Sequence, residues 1–137
     1  MNPTILTKDF QDYLKEIEHE DIKSISLKKS PFSTIASAEI AQQLKGIQVS
    51  KYKFPTLYQT KNIYFPPSIN LEQASSEAAA EYKATLVNGN TLIDLTAGYG
   101  IDTIAFSKSF QKVYHIEQNP ELSDIVQHNA NILAPNL

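Results

Sequence analysis

Two carboxylates and a pair of glycines in the last third of the chain have residue types and a spacing suited to binding a small molecule. Asp94 ends an apolar run, and Gly98 and Gly100 follow it closely. Because glycine has no Cβ, a ligand can approach the backbone of such a turn. Glu117 ends a second apolar run, and its carboxylate offers two acceptor oxygens, enough for both hydroxyls of a ribose. One ligand could therefore bridge Asp94 and Glu117.

The carboxylate of Asp94 discriminates between nucleoside cofactors. An ionised carboxylate fits poorly against a pyrophosphate, whereas it can bind the ammonium group of a cofactor that carries an amino acid. This points to S-adenosyl-L-methionine. A dinucleotide site also needs a third glycine in the pattern G-x-G-x-x-G, and that position holds Thr103. A dinucleotide-dependent oxidoreductase is therefore the weaker alternative.

The segments around these residues predict an α/β fold. Their pattern predicts strands over residues 91–95 and 113–117, and helices over residues 101–110 and 120–133. The buried side of the last helix should carry Leu122, Ile125, Val126 and Ile132. Strands that alternate with helices form parallel sheets through right-handed crossovers. We therefore expect the opening βαβα of a doubly wound, Rossmann-like sheet.

A further helix is predicted just before the first strand. Residues 74–87 are rich in helix formers, and the Asn88-Gly89 pair that follows is typical of a left-handed stop. Asn70 and Gln73, three residues apart, resemble a capping box at its start.

The first part of the chain is predicted to be all helical. Apolar spacing predicts helices over residues 7–17, with Thr7 as the cap, over 21–28 and over 37–53. The third should end before Pro55 and bury a stripe made of Ile40, Leu44, Ile47 and Tyr52. Residues 55–68 contain three prolines and no steady period, which predicts an extended connector packed on a surface. The predicted domains are residues 1–68, helical with this connector, and residues 69–137, the start of the cofactor-binding domain.

Composition argues against several kinds of site. The chain of 137 residues has no cysteine, and its three histidines are dispersed, so we predict neither disulfides nor a metal site. No apolar run approaches the roughly 18 residues that cross a membrane, and the start of the chain lacks a secretion signal. The predicted location is the cytoplasm.

One segment is locally basic although the formal net charge is −3. No acid lies between Glu39 and Glu72, an interval that contains Lys45, Lys51, Lys53, Lys61 and the aromatic residues Tyr52, Phe54, Tyr58, Tyr64 and Phe65. Such a segment could bind RNA by screening phosphates and stacking bases. It could equally be a solvated helix end beside core aromatics. A non-catalytic module that binds RNA or a protein is therefore the alternative function.

The motif Asp94-Leu-Thr96-Ala-Gly98-Tyr-Gly100 resembles the first motif of class I S-adenosylmethionine-dependent methyltransferases. Thr96 stands where that motif has its first glycine. Three other strings resemble bacterial methyltransferases that carry a C-terminal THUMP-like domain. They are Lys-Lys-Ser-Pro-Phe at residues 28–32, Asn-Leu-Glu-Gln-Ala-Ser-Ser at 70–76 and Tyr-Lys-Ala at 82–84.

The resemblance implies an enzyme that uses S-adenosyl-L-methionine, with RNA as the substrate. Carried over by position, Asp94 and the turn formed by Thr96, Ala97, Gly98 and Gly100 would meet the methionine end, and Glu117 the ribose. Gln73, Ser75 and Ser76 would close the site from the preceding helix.

The catalytic motif of these enzymes, an Asn or Asp followed by a pair such as Pro-Pro after the fourth strand, has no counterpart here. We therefore expect the chain to be the N-terminal part of a methyltransferase that supplies cofactor binding and no catalytic residue. Alone it should not transfer methyl groups. Its unpaired strand edges should leave it partly disordered, swapped or oligomeric.

Overall fold

The computed structural model describes residues 1–134, which form a mostly helical α/β protein with two parallel strands. The predicted α/β class is confirmed. By its internal contacts the chain divides into two compact units, Met1–Ser68 and Ile69–Leu137.

The first unit contains helices α1 (Lys8–Glu16), α2 (Ile22–Leu27), α3 (Ser37–Lys53) and α4 (Pro55–Gln59) after a short 3-10 helix, Pro3–Leu6. Helices α1, α2 and α3 lie where the spacing of apolar residues predicts them. The Asp21 carboxylate caps α2 by accepting a hydrogen bond from the amide of Ser24 at 2.8 Å. Thr7 is the N-cap residue of α1, as predicted, but its side chain makes no capping bond, because its hydroxyl donates to the carbonyl of Thr4 at 2.7 Å.

The proline-containing segment after α3 is not extended throughout, because residues 55–59 form α4, and part of it is buried. Pro55 opens α4 as its first residue, where its missing N–H costs nothing. Phe54, Leu57 and Phe65 are all less than 5% exposed. A buried segment needs partners for its backbone, and Gln43 supplies them. Its side-chain oxygen accepts from the amide of Phe65 at 2.9 Å and its side-chain nitrogen donates to the same residue's carbonyl at 2.8 Å.

The apolar stripe of α3 is also corrected at one end. Ile40 and Leu44 are buried, but Tyr52 is 84% exposed. The core position near the end of this helix is taken by Ser50, and Phe54 fills the core just after it.

The boundary between the units falls at the start of α5 (Ser68–Gln73), and α6 (Glu77–Thr85) follows, where one helix over residues 74–87 was predicted. The chain breaks at Ala74 to Ser76, and the Ser76 hydroxyl caps α6 by accepting from the amide of Ala79 at 3.2 Å. Serine favours such a cap over a helix interior because its side chain can bond to nearby backbone. The Asn70 and Gln73 pair therefore lies within α5 and is not a capping box.

The sheet consists of β1 (Thr91–Asp94) and β2 (Lys112–His115), paired in parallel with Asp94 beside His115. Both strands are shorter than predicted. Backbone bonds nevertheless continue past their ends, from the amide of Ile116 to the Asp94 carbonyl at 2.9 Å and from the amide of Ala97 to the Ile116 carbonyl at 3.3 Å. These bonds hold the segments after β1 and β2 side by side.

Helix α7 (Ile101–Ser107) connects the strands, and α8 (Pro120–Leu133) follows β2 at the predicted bounds. The buried side of α8 contains Leu122, Ile125 and Val126, whereas Ile132 is 42% exposed, contrary to expectation. The buried polar position on this helix is Asn129, which is 1% exposed.

One face of the sheet is apolar and exposed. Ile93 on β1 and Tyr114 on β2, which are paired in the register, are 57% and 41% exposed. Leu95 and Ile116 continue this face just beyond the strands, at 73% and 48%. Within residues 1–134, no helix has the length and apolar character needed to cross a membrane.

Candidate functional site

The carboxylate of Asp94 is held in place at the end of β1. One oxygen accepts from the amide of Thr96 at 3.3 Å, and the other accepts from the hydroxyl of Thr103 on α7 at 2.9 Å. Thr103 is fully buried, and Asp94 is partly exposed. The carboxylate therefore has a fixed orientation while still reaching solvent, which suits a group that binds a cation.

The turn after β1 needs its two glycines for different reasons. Both have left-handed backbone, with φ of +53° at Gly98 and +78° at Gly100. A Cβ at Gly100 would lie 2.7 Å from Val126 Cγ1, so this glycine allows the turn to pack on α8. A Cβ at Gly98 would meet no atom within 4 Å. The space beside Gly98 is open to a ligand.

A second strand residue supports this turn. The ring nitrogen Nε2 of His115 lies 3.1 Å from the carbonyl oxygen of Gly98, to which it donates when that nitrogen carries the proton. Because His115 is paired with Asp94 in the sheet, the turn is tied to both strands.

Glu117 follows β2 and is partly exposed. One of its oxygens accepts from the backbone amide of Asn119 at 2.8 Å. This bond orients the carboxylate and uses only part of its capacity, since each carboxylate oxygen can accept two hydrogen bonds.

A cavity of about 180 Å³ lies beside the turn, bounded on the other side by the end of α5 and the loop before α6. Its wall combines six of the predicted site residues with five others. They are Gln73, Ser75, Thr96, Ala97, Gly98 and Gly100, together with Asn70, Ala74, Tyr99, Ile101 and Asp102. Asp94 and Glu117 are not part of this wall. The structure thus brings most of the predicted residues to one cavity, and their cofactor contacts stay a prediction.

Three polar side chains link the cavity wall to α6. The Ser75 hydroxyl donates to one oxygen of Asp102 at 2.8 Å, and Lys83 Nζ donates to the Ser75 oxygen at 2.7 Å. Lys83 Nζ also lies 2.6 Å from the other oxygen of Asp102. The loop before α6 is therefore held to the first turn of α7 by a lysine, a serine and an aspartate. We call this group the Lys83–Ser75–Asp102 cluster.

Tyr99 contributes an uncharged part of the wall. It is 3% exposed, and the side-chain amide of Asn129 lies 3.4 Å from its hydroxyl. Burial raises the pKa of Tyr99 far above its ordinary value, and this effect outweighs the opposite influence of Asn129. The phenol stays neutral at physiological pH.

Several of these residues carry no role in the sequence-based prediction. In the sequence analysis, Thr103 is only the residue that stands in place of the third glycine of a dinucleotide motif. Lys83 is only part of the Tyr-Lys-Ala string that resembles bacterial methyltransferases. No local pattern could have identified their partners, since Thr103 and Asp94 are nine positions apart and Lys83 and Asp102 lie on different helices. Asn70 and Tyr99 were likewise not predicted as parts of the site.

The lysines proposed for RNA binding lie in the first unit. Lys51 and Lys61 are exposed, and Lys45 and Lys53 are partly exposed. Lys51 lies 3.9 Å from Glu18, and Lys53 lies over the Phe54 ring at 5.5 Å from its centroid. Of the aromatic residues, Phe54, Tyr64 and Phe65 are buried, so base stacking here would depend on the exposed Tyr52 and Tyr58.

The first unit also contains a larger groove, about 670 Å³ in volume. Its apolar floor includes Leu14 and Leu57, and its rim carries Lys8, Lys15 and Lys61. Lys8 pairs with Asp12, which raises the pKa of the lysine and lowers that of the carboxyl, chiefly through their hydrogen bond. Neither Lys15 nor Lys61 has a carboxylate within 4 Å among residues 1–134. Within the same residues, no three His, Asp or Glu side chains form a group that could hold a metal ion.

Two comparisons with known proteins find similar methyltransferases. The family described as RNA cap guanine-N2 methyltransferase matches residues 89–135, a range that includes both strands, the glycine turn and α8. The crystal structure of a proposed methyltransferase from Porphyromonas gingivalis W83 matches with a TM-score of 0.77 and 27% sequence identity. Both matches support a methyltransferase.

The structural match covers the two proteins to different extents. The structural match covers 95% of this chain but only 32% of the Porphyromonas protein, so the chain spans about a third of that protein's length. No curated protein matches the chain.

Proposed function

We propose that this chain forms the S-adenosyl-L-methionine-binding part of a methyltransferase that acts on RNA. The observation that carries the proposal is the arrangement at the ends of the two parallel strands. There β1 ends at the fixed Asp94 carboxylate and is followed by the open glycine turn, while Glu117 follows the neighbouring strand β2. The methyltransferase matches support the reaction class. The choice of RNA rests on the description of the matching family.

The residues present suit this cofactor. The turn leaves open space where a Cβ at Gly98 would project, so a ligand can lie against the backbone. Thr103 occupies the position of the third glycine in a dinucleotide site and is used to hold Asp94. The Asp94 carboxylate at the end of β1 disfavours a pyrophosphate and favours an ammonium group.

Each residue then has a defined task. Asp94 binds the ammonium group at the amino-acid end, and Glu117 accepts from the ribose hydroxyls with the capacity left after its bond to Asn119. When bound, the cofactor would supply an activated methyl group on its sulfonium, and this group would pass to a nitrogen or oxygen of the RNA as the carbon–sulfur bond breaks and S-adenosylhomocysteine leaves. Such a reaction is accelerated mainly by positioning, and this is what the fixed carboxylate and the rigid turn provide.

Calorimetric titration with S-adenosylhomocysteine tests the proposal. Asp94→Asn and Glu117→Gln should each weaken binding about tenfold, because each removes a charge-assisted hydrogen bond. Glu121→Gln is the matched control, since Glu121 is an exposed acid in the first turn of α8. Absence of binding to the unchanged protein, or binding of a nicotinamide dinucleotide in its place, would contradict the proposal.

A second candidate, an RNA-binding module without catalysis, is favoured by the groove of the first unit. Its rim lysines Lys15 and Lys61 have no carboxylate partner within 4 Å among residues 1–134. If they bind phosphates, the affinity for a labelled single-stranded RNA should fall steeply with salt. The double change Lys15→Gln and Lys61→Gln should weaken binding more than Lys23→Gln, which alters an exposed lysine that does not line the groove. RNA binding with no response to S-adenosylhomocysteine would favour this candidate over a methyltransferase.

A further inference from the structure

The wall of the cavity beside the glycine turn contains an acid whose charge needs an explanation. Asp102 lines this cavity together with Ser75, and its side chain is 26% exposed. An ionised carboxylate in the wall would repel the carboxylate of any amino acid that entered the cavity. The cofactor proposed above has such a carboxylate at its amino-acid end.

Lys83 removes this obstacle. Its Nζ lies 2.6 Å from one oxygen of Asp102 and donates to Ser75 at 2.7 Å, while Ser75 donates to the other oxygen of Asp102 at 2.8 Å. One oxygen of Asp102 therefore accepts a hydrogen bond from Ser75, and the other forms an ion pair with Lys83 without a hydrogen bond, so the two charges sum to zero. Lys83 itself does not line the cavity, so it acts on a ligand through the other two residues.

We propose that Lys83 is a positioning residue that neutralises Asp102 and orients Ser75, so that the cavity admits the carboxylate of the cofactor's amino-acid end. This inference rests on the proposed function, since it concerns the same cofactor site. It assigns a role to a residue on α6, outside the strand-turn-helix segment that carries the glycines.

The role differs from that of a simple link between helices. A link would affect every ligand of the cavity alike, because losing it would loosen the loop before α6. Charge neutralisation affects only ligands that bring a carboxylate. Two related ligands separate these cases, since S-adenosylhomocysteine has the amino acid and 5′-methylthioadenosine lacks it while keeping the adenine, the ribose and the sulfur.

The test is titration of both ligands into the protein and its variants. Lys83→Met should weaken the binding of S-adenosylhomocysteine about tenfold, because the charges are partly exposed and therefore partly screened. Binding of 5′-methylthioadenosine should be unchanged. Lys83→Arg should keep the affinity for both ligands, and adding Asp102→Asn to Lys83→Met should restore most of the lost affinity by removing the repelling charge.

Lys108→Met is the matched control. Lys108, just after α7, bonds to Glu81 on α6 at 2.7 Å, so it joins the same two helices without lining the cavity. Its loss should leave the affinity for both ligands unchanged.

Three results would overturn the inference. Equal weakening of both ligands by Lys83→Met would show a structural role only. Unchanged or tighter binding of S-adenosylhomocysteine would show that Asp102 does not repel the ligand. Failure of the unchanged protein to bind either ligand would overturn the proposed function together with this inference, whereas the first two results leave the cofactor site intact.

Discussion

Thr103 and Asp94 are joined by a hydrogen bond of 2.9 Å between the threonine hydroxyl and one carboxylate oxygen. The bond connects the first turn of α7 to the end of β1 across the glycine turn. Thr103 is fully buried, so its hydroxyl cannot exchange this partner for bulk water. The orientation of Asp94 therefore depends on a residue that the sequence places nine positions away.

Thr103→Val tests this dependence with little change in volume. The variant removes the hydroxyl and leaves Asp94 held only by the amide of Thr96 at 3.3 Å. We expect the affinity for S-adenosylhomocysteine to fall about fivefold to tenfold, in line with the loss of a hydrogen bond to a charged group. Calorimetric titration measures this change.

Thr103→Ser keeps the hydroxyl and is the matched control. It should retain most of the affinity, although the free energy of unfolding should fall by about 1 kcal/mol for the lost methyl group. Equal affinities of the valine and serine variants would contradict a role for this bond.

The two glycines of the turn should respond differently to alanine. Gly100→Ala brings a Cβ to 2.7 Å from Val126 and strains a left-handed residue, so unfolding should become easier by about 2 to 4 kcal/mol. In Gly98→Ala the added Cβ contacts no atom, so only the strain of a left-handed backbone should lower the free energy of unfolding, by about 1 kcal/mol. Its added methyl group should nevertheless block the ligand. Thermal unfolding and S-adenosylhomocysteine titration together check this, and unimpaired binding by Gly98→Ala would place the ligand elsewhere.

Gln43→Leu should destabilise the first unit strongly. Gln43 is fully buried and bonds to both backbone groups of Phe65, whose carbonyl also accepts from Gln42 at 2.9 Å. The leucine variant leaves the amide of Phe65 without the Gln43 oxygen, which should cost about 2 to 3 kcal/mol in the free energy of unfolding. Gln42→Leu removes a single bond from a carbonyl that keeps Gln43, so the expected cost is about 1 kcal/mol. Urea unfolding measures both, and equal costs would contradict this ranking.

The buried phenol of Tyr99 should make stability depend on alkaline pH. Burial raises its pKa in the folded protein, whereas in the unfolded chain it ionises at about pH 10. Unfolding therefore releases a proton above about pH 10, and stability should fall there by up to about 1.4 kcal/mol per pH unit.

Tyr99→Phe should lose this contribution, so its melting temperature should fall less between about pH 9 and about pH 11 than that of the unchanged protein. Tyr82→Phe, at an exposed tyrosine of the same unit, should behave like the unchanged protein. Parallel melting curves for all three proteins would contradict the expectation.

The regular parts of the fold could be predicted from local signals. Helices α3 and α8 lie at the predicted bounds. Pro55 follows the end of α3, and Asn119 caps the start of α8 by accepting from the amide of Leu122. The break before α6 was not predicted because the residues around Ala74 to Ser76 are mostly good helix formers. Helix propensity is a local property and does not include the hydrogen bond from Ser75 to Asp102. The burial of residues 63–65 was missed for the same kind of reason, since it depends on Gln43.

The site could be predicted where its chemistry is local. The acid before the turn and the left-handed glycines are readable from residues 94–100, because their spacing and types are adjacent in the chain. The residues that orient this acid and these glycines cannot be identified from the same segment. Thr103, His115 and Lys83 reach the site from three different elements, and only the packing of these elements brings them within hydrogen-bond distance.

The sequence by itself determined the order of strands and helices from β1 onward and the position of the glycine turn, because periodicity, caps and φ preferences act over a few residues. Tertiary structure decided which polar groups are paired. Ser75 and Asp102 are 27 positions apart, and Gln43 and Phe65 are 22 apart. A buried polar group needs a partner from elsewhere in the fold. The pairing of Asp102 in the cavity wall and the burial of Phe65 after α3 therefore depend on contacts that no local pattern contains.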